Sequence, residues 1–307
     1  RQQVPLFDID RVVIAGRPNI TTPFLQKVMI RGIPVFFISA KGRWLGTLTP
    51  DKNMNAARRI RQYELAGNAV FALKNSTRLV YAKIRNSRRV LQRLAANREQ
   101  SETDAYRKAD TQLRRLAERA QQAETLEELR GIEGMASATY FAQLGQFFPE
   151  RVPFTTRSRR PPGDAANALL SWTYTILCSE IDGQARAHGL DACLGFLHGI
   201  SHGTPSLALD LLEPLRAPAG DLFALNLLNH GVLTDEDFYF DAEDGGTYLC
   251  DDGKRKFFRS YEVAMSRRFK PSKSETHIDF RGVITGMVTS LLKAMEDEGD
   301  VDFFHMP

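Results

Sequence analysis

The stretch PPGDAANALLSWTYTILCSEIDGQARAHG, Pro161 to Gly189, decides how the chain is read. Its prolines and glycine separate it from what precedes. Asp164 is a residue type whose side chain caps a helix N-terminus, and Gly189 is a natural C-terminal stop. The spacing between them predicts one helix over 165–188. Asn167, Ser171, Tyr174 and Cys178 recur at intervals of four, three and four, while Leu169, Trp172, Ile176 and Leu177 fall on other faces. Such a polar stripe either lines a site or forms a hydrogen-bond seam between helices.

On either side the texture is also helical. No strong breaker interrupts Met54 to Ala96 except the polar KNST. Thr125 with Glu128 suggests a capping box that opens a helix toward Phe148. Further helices are expected from Ser206, from Asp221 to Asn229 and from Arg281 to Met295, and DAEDGGTYLCDDGKRKFF reads as an exposed loop or hairpin. The first fifty residues differ. RVVIAG, IPVFFIS and GRWLGTL are short, β-branched and aromatic, and Thr22-Pro23 opens a short helix ending at Gly32. The fold class is therefore α+β: a small N-terminal β-rich domain, residues 1–50, followed by a larger all-α domain, residues 51–307.

With 307 residues and 43% hydrophobic content the chain can bury a sizeable core, and its apolar runs are far shorter than the roughly 20 residues that cross a bilayer. Cys178, Cys193 and Cys250 are odd in number and far apart, which fits a reducing cytoplasm better than a disulfide framework. Charge is unevenly spread. From Asp51 to Arg98 there are twelve Lys or Arg, including Lys52, Arg58 and Arg59, against two acids, whereas Glu296 to Asp302 is acidic. The basic segment suggests a surface for a polyanion; a solvated helix face is the plainer alternative.

GFLHGISHGTPSLALDLLEPLR, Gly195 to Arg216, holds the candidate chemistry. A helix starting near Ser206 puts Asp210 and Glu213 three residues apart on one face among leucines, with His198 in the loop before it. One imidazole and two carboxylates suit a hard divalent cation, Mg²⁺ or Mn²⁺, the imidazole favouring Mn²⁺. A capped histidine beside a salt-bridged face explains the same residues without a metal. His198 and His202 stand four apart as in zinc proteases, but Gly199 replaces the glutamate such enzymes need, so His202 reads as a loop or DNA-side residue. Glu133, between Gly131 and Gly134, is a third carboxylate. Each glycine costs roughly 1 kcal/mol against alanine in a helix, which implies a packing or access reason.

Taken in order, GIEG around Glu133, RRPPGDAANALLSWTY from Arg159, GLDACLGFLH ending at His198 and SLALDLLEPLR closely resemble the CRISPR-associated integrase that captures new spacers, a metal-dependent DNA endonuclease and strand-transfer enzyme. The likeness runs from about Phe7 to Phe269 and includes the small β domain. It implies that Glu133, His198 and Glu213 are ligands of Mg²⁺ or Mn²⁺ and that Asp210 supports them. It implies that Asn167 and Tyr174 lie beside the site, and that Arg159, Arg160 and Arg216 face phosphate. The family inserts spacer DNA by attack of a 3′-hydroxyl on a repeat phosphodiester, and the Lys52 to Arg98 region, with Arg58 and Arg59, would hold the double-stranded DNA. Its members work in the prokaryotic cytoplasm. They dimerise through the β domain and flank a small ferredoxin-like partner in a heterohexameric complex. Relatives carry further N-terminal strands before the segment matching Val4. Two other readings remain: a stand-alone nuclease acting on branched DNA, and a non-catalytic DNA-binding scaffold.

Overall fold

The computed structural model describes residues 4–50, 55–98, 103–158, 161–199, 202–271 and 276–307. In the N-terminal part, β1 (Val12–Ala15) pairs parallel with β2 (Val35–Ile38) through the crossover helix α1 (Thr22–Ile30), and β3 (Trp44–Leu48) returns antiparallel to β2. The cap of α1 is Thr21, one residue earlier than the sequence suggests, with its hydroxyl accepting from Phe24 N. Strand periodicity gives β2 two faces. Val35 packs with Ile14, Val28 and Ile33 on the α1 side, while Ile38 joins the main core. The other side of the sheet lies on the helix α6 (Ala165–Ala187). A Cβ at Gly183 would meet the Phe36 ring at 2.9 Å, so only glycine lets the two elements approach this closely.

The remaining chain is mainly helical: α2 (Ala56–Ala66), α3 (Ala69–Asn97), α4 (Asp104–Ala120), α5 (Leu126–Leu144), then α6, α7 (Ser206–Leu215), α8 (Leu222–Asn229), α9 (Asp251–Met265) and α10 (Phe280–Asp297). Asp164 caps α6 as expected, its carboxylate accepting from Asn167 N at 2.7 Å. The helical stretches expected over Met54 to Ala96, whose first residue lies outside the described residues, divide at Gly67 and not at KNST. Gly67 ends the first and the Asn68 side chain caps the second, accepting from Val70 N and Phe71 N. KNST lies inside α3, because its Asn75 and Ser76 face the core rather than solvent. Conversely, the two helices expected around Asp221 form one continuous path. Pro214 donates no hydrogen bond to the carbonyl of Asp210, and the chain answers with a π turn over Arg216–Asp221 that leads straight into α8. The segment read as an exposed loop or hairpin does form a hairpin, β4 (Phe238–Asp241) and β5 (Gly246–Leu249), but its DDGKRKFF portion begins α9, capped by Cys250.

α3 organises this half of the molecule. It is 29 residues long, about 43 Å, and packs on α4, α5 and α7. Its buried stripe carries Leu79, Val80, Val90 and Leu91 at helical spacing, but the same stripe includes Asn75, Lys83 and Asn86. The two asparagines bind the C-terminal segment. Asn75 Oδ1 accepts from Val301 N at 2.9 Å, and Asn86 accepts from Met306 N at 2.8 Å while donating to the carbonyls of Phe304 and Pro214. Phe303 and Phe304 are buried beside them.

This docking also answers the charge asymmetry. Arg61 pairs with Glu298, Lys74 and Arg78 pair with Asp300, Arg88 pairs with Asp110, and Arg89 donates to the carbonyl of Pro307. Much of the basic segment is thus matched internally rather than left as an open polyanion surface; Lys52 lies outside the described residues. Exposed pairs contribute little each, about 0–1 kcal/mol, so the asparagine bonds and the phenylalanines anchor the tail. Replacing Asn86 with alanine leaves three buried backbone groups without a partner, and urea unfolding should show a loss of about 3 kcal/mol or more.

Candidate metal site

Three elements converge on one small volume. α5 contributes Glu133, α7 contributes Asp210 and Glu213, and the loop before α7 contributes His198. The loop is fixed by Asp210, a carboxylate 1% exposed. It accepts from the backbone N–H groups of Phe196, Leu197 and His198 at 2.6, 3.0 and 3.0 Å and from His198 Nδ1 at 2.6 Å. Gly195 is required where the loop passes α7: a Cβ there would stand 2.5 Å from Asp210 Oδ2. Arg130, one turn before Glu133, holds the same loop by donating twice to the carbonyl of Leu197. Asp210 therefore orients the imidazole. Its bond at Nδ1 leaves Nε2 directed toward Glu213 Oε1 at 3.8 Å.

Glu213 is the electrostatic centre. Its side chain is only 4% exposed, and burial by itself pushes the carboxyl upward. The charges of Arg216, Lys83 and His198 outweigh that penalty and hold it at about 2. Arg216 Nε donates to Glu213 Oε1 at 2.9 Å, and the Lys83 ammonium lies 2.6 Å from Oε2. That contact is an ion pair without hydrogen-bond alignment, so Oε2 is a buried acceptor lacking a directed donor. Lys83 also pairs with Glu133, which accepts from Ser137 Oγ at 2.8 Å. Burial would lower the His198 pKa, but Asp210 and the Glu213 charge together raise it.

The donor set fits a hard divalent cation: an imidazole nitrogen with its other nitrogen fixed by a carboxylate, and two carboxylates already drawn toward one positive charge. Among the described residues no three His, Cys, Asp or Glu side chains are yet spaced to hold a metal. Instead the ammonium of Lys83 stands between Glu133 and Glu213. Sequence reasoning counted that lysine among surface cations. The available signal was its place on the buried stripe of α3, one turn from Leu79 and Val80.

The other expected residues divide. Arg216 is turned inward, 16% exposed, onto Glu213 and over the Tyr174 ring at 4.7 Å, rather than out toward an open phosphate surface. Tyr174 donates to Asp221 at the end of the π turn. Asn167 is buried and accepts from Arg157 Nη1 at 2.8 Å, and Arg157 Nη2 donates to Ser171. Burial raises the Cys178 thiol to about 12. The polar stripe of α6 is thus a hydrogen-bond seam that backs the site through Tyr174 and Arg216. Arg58 donates to the carbonyl of His188, Arg59 sits beside it on α2, and His202 is exposed in the turn before α7. Arg159 and Arg160 lie outside the described residues.

A Cβ at Gly131 or Gly134 would meet nothing within 4 Å, so packing does not explain these glycines; they leave open space beside Glu133. Gly131→Ala should stabilise the fold by about 1 kcal/mol in chemical unfolding, because the added methyl meets nothing and suits the helix. A second expectation concerns Asp221. Burial raises its carboxyl to about 6, against the pull of the Tyr174 and Tyr140 hydroxyls, Arg157 and Arg216. The folded state then binds a proton that the unfolded state has released, so stability falls as pH rises from about 4 to about 6. Asp221→Asn removes this loss, and urea titrations should show the variant gaining about 3 kcal/mol relative to wild type between pH 4 and pH 7.

Comparison with known proteins bears on family and fold. The chain is 33% identical over 296 residues to the CRISPR-associated endonuclease Cas1 3 of Thermus thermophilus, covering 96% of this chain and 85% of that protein. Its fold matches a chain of a Cas6-RT-Cas1–Cas2 complex with a TM-score of 0.80 and 26% identity, over 94% of this chain but about a third, 31%, of that one. It also matches a casposase bound to integration product, with a TM-score of 0.84 at 23% identity over 98% and 82% of the two chains, a likeness of fold. Residues 1–263 match the family described as CRISPR associated protein Cas1, and the chain belongs to that family.

Proposed function

We propose that this chain is a metal-dependent DNA endonuclease and integrase that inserts spacer DNA into a CRISPR array. The observation that carries the reading is the convergence of Glu133, His198 and Glu213 from three elements: both glutamates touch the Lys83 ammonium, and His198 Nε2 faces Glu213. No serine or cysteine nucleophile is needed, because the attacking group is a DNA 3′-hydroxyl: its oxygen bonds to the phosphorus of a repeat phosphodiester, its proton passes to solvent, and the P–O bond to the repeat's own 3′-oxygen breaks, that oxygen taking up a proton to leave as a hydroxyl. Glu133, His198 Nε2 and Glu213 would hold a Mg²⁺ or Mn²⁺, which would supply charge to activate a hydroxyl and stabilise the reacting phosphate.

The chain's own residues prepare for this. The neighbouring charges keep Glu213 ionised at any physiological pH. Asp210 locks the loop and selects the His198 nitrogen that faces inward. Arg216, anchored by Tyr174, keeps Glu213 from rotating away.

The endonuclease name of the Thermus relative and the complex with Cas2 containing the 26% identical chain support placement in spacer acquisition. We include in the reading double-stranded DNA as substrate, a homodimer, a small ferredoxin-like partner in a heterohexameric complex, and a prokaryotic cytoplasmic location. Among the described residues no helix is long and apolar enough to cross a membrane.

The test is strand transfer of a short labelled duplex into a supercoiled plasmid carrying a CRISPR array, with Mn²⁺ and the partner protein. Wild type should join, a chelator should abolish joining, and His198→Ala should bind DNA without joining it. Asp210→Ala, which removes the partner of His198 Nδ1 and of three loop N–H groups, should lower joining by roughly tenfold to a hundredfold or more. Cleavage of branched DNA with no joining and no partner binding would favour the stand-alone nuclease; no metal-dependent turnover would favour the scaffold.

A further inference from the structure

Lys83 is placed unlike any of the other cations discussed so far. It projects from the middle of α3, its side chain is 11% exposed, and it touches one carboxylate on α5 and one on α7. Two carboxylates brought this close in a partly dry site repel each other, and a fixed positive charge between them removes that repulsion. A divalent ion would do the same with the same oxygens. We propose that Lys83 is the resident cation of the metal-free site, an internal competitor whose ammonium must leave Glu133 and Glu213 before a divalent ion can take them. The inference rests on the reading of Glu133, His198 and Glu213 as ligands.

Charge arithmetic gives the direction. With a neutral imidazole, the cluster holds the carboxylates of Glu133, Asp210 and Glu213 against the cations of Lys83 and Arg216. Without the lysine, the net charge becomes one unit more negative at the place a dication would occupy. Glu213 keeps Arg216 at 2.9 Å and Glu133 keeps the Ser137 hydroxyl at 2.8 Å, so both carboxylates retain a partner that holds their direction. An ordinary structural salt bridge predicts the opposite, since removing the ammonium would then disorder the ligands and weaken metal binding. The competitor role also explains why the described residues hold the right donors without metal spacing: the carboxylates are set around an ammonium.

The experiment is a Mn²⁺ titration of the metal-stripped full chain at fixed pH, followed by calorimetry or electron paramagnetic resonance, with thermal melts of the metal-free and loaded forms. Lys83→Met should bind Mn²⁺ at least tenfold more tightly than wild type. Its metal-free melting temperature should fall below wild type, and saturating Mn²⁺ should recover the difference. Lys83→Arg keeps the charge and should bind as wild type or more weakly. Should Lys83→Met not fold without metal, Lys83→Gln is read in the same way. Equal or weaker Mn²⁺ binding by the neutral variants overturns the competitor role while leaving the ligand reading intact. If wild type binds no Mn²⁺, or His198→Ala binds it as wild type does, the ligand reading fails and this inference falls with it.

Discussion

A carboxylate buried in a helical core is costly unless charge or hydrogen bonds offset the loss of water, and at Glu213 the offset is positive charge. The position of Glu213 on α7 brings together Lys83 from α3, Arg216 from the π turn and His198 from the preceding loop. Each partner is held in turn by something further out: His198 by Asp210, Arg216 by the Tyr174 ring, and Tyr174 by Asp221. The result is a nested set of contacts in which one charge dictates the orientation of side chains on five elements. Pro214 is part of this logic. It sits beside Glu213, frees the Asp210 carbonyl and starts the π turn that swings Arg216 back onto the carboxylate.

The same helix that feeds the site also fastens the chain end. Asn75, Lys83 and Asn86 are the long polar side chains on the buried stripe of α3, and each has a partner that matches its chemistry: backbone for the asparagines, carboxylates for the lysine. Polar groups at such positions are costly unless satisfied, so their presence marks where α3 does more than pack. Docking of the acidic segment after α10 then neutralises cations that lie on the outer face of α2 and α3.

What was legible in the sequence follows from how local each signal is. Asp164 as a cap, Gly189 as a stop, and the strands around Val12, Val35 and Trp44 depend on neighbours a few residues away, and all appear as read. The pairing of Asp210 with Glu213 on one helix face was equally visible, because helical spacing alone fixes it. The break at Gly67 was missed because Asn68, its cap, sits within an otherwise helical pattern. α9 was read as a loop because its charged first turn hides Phe257 and Tyr261, which are buried. Lys83 was misread for a different reason: its only local signal was its place on the buried stripe one turn from Leu79 and Val80, and its partners are 50 and 130 positions away. That Arg216 faces phosphate was implied by the resemblance; the π turn, which the spacing of SLALDLLEPLR does not reveal, places it against Glu213.

The central claim is that Glu133, His198 and Glu213 form one cation site with Asp210 outside its ligand set. Crystals of the metal-stripped protein soaked in Mn²⁺ and measured at the manganese absorption edge test it directly. A single anomalous peak bounded by His198 Nε2 and the carboxylates of Glu133 and Glu213, with Asp210 still bonded to His198 Nδ1, is the predicted result. A peak coordinated by Asp210 in place of His198, or none among these residues, would contradict it.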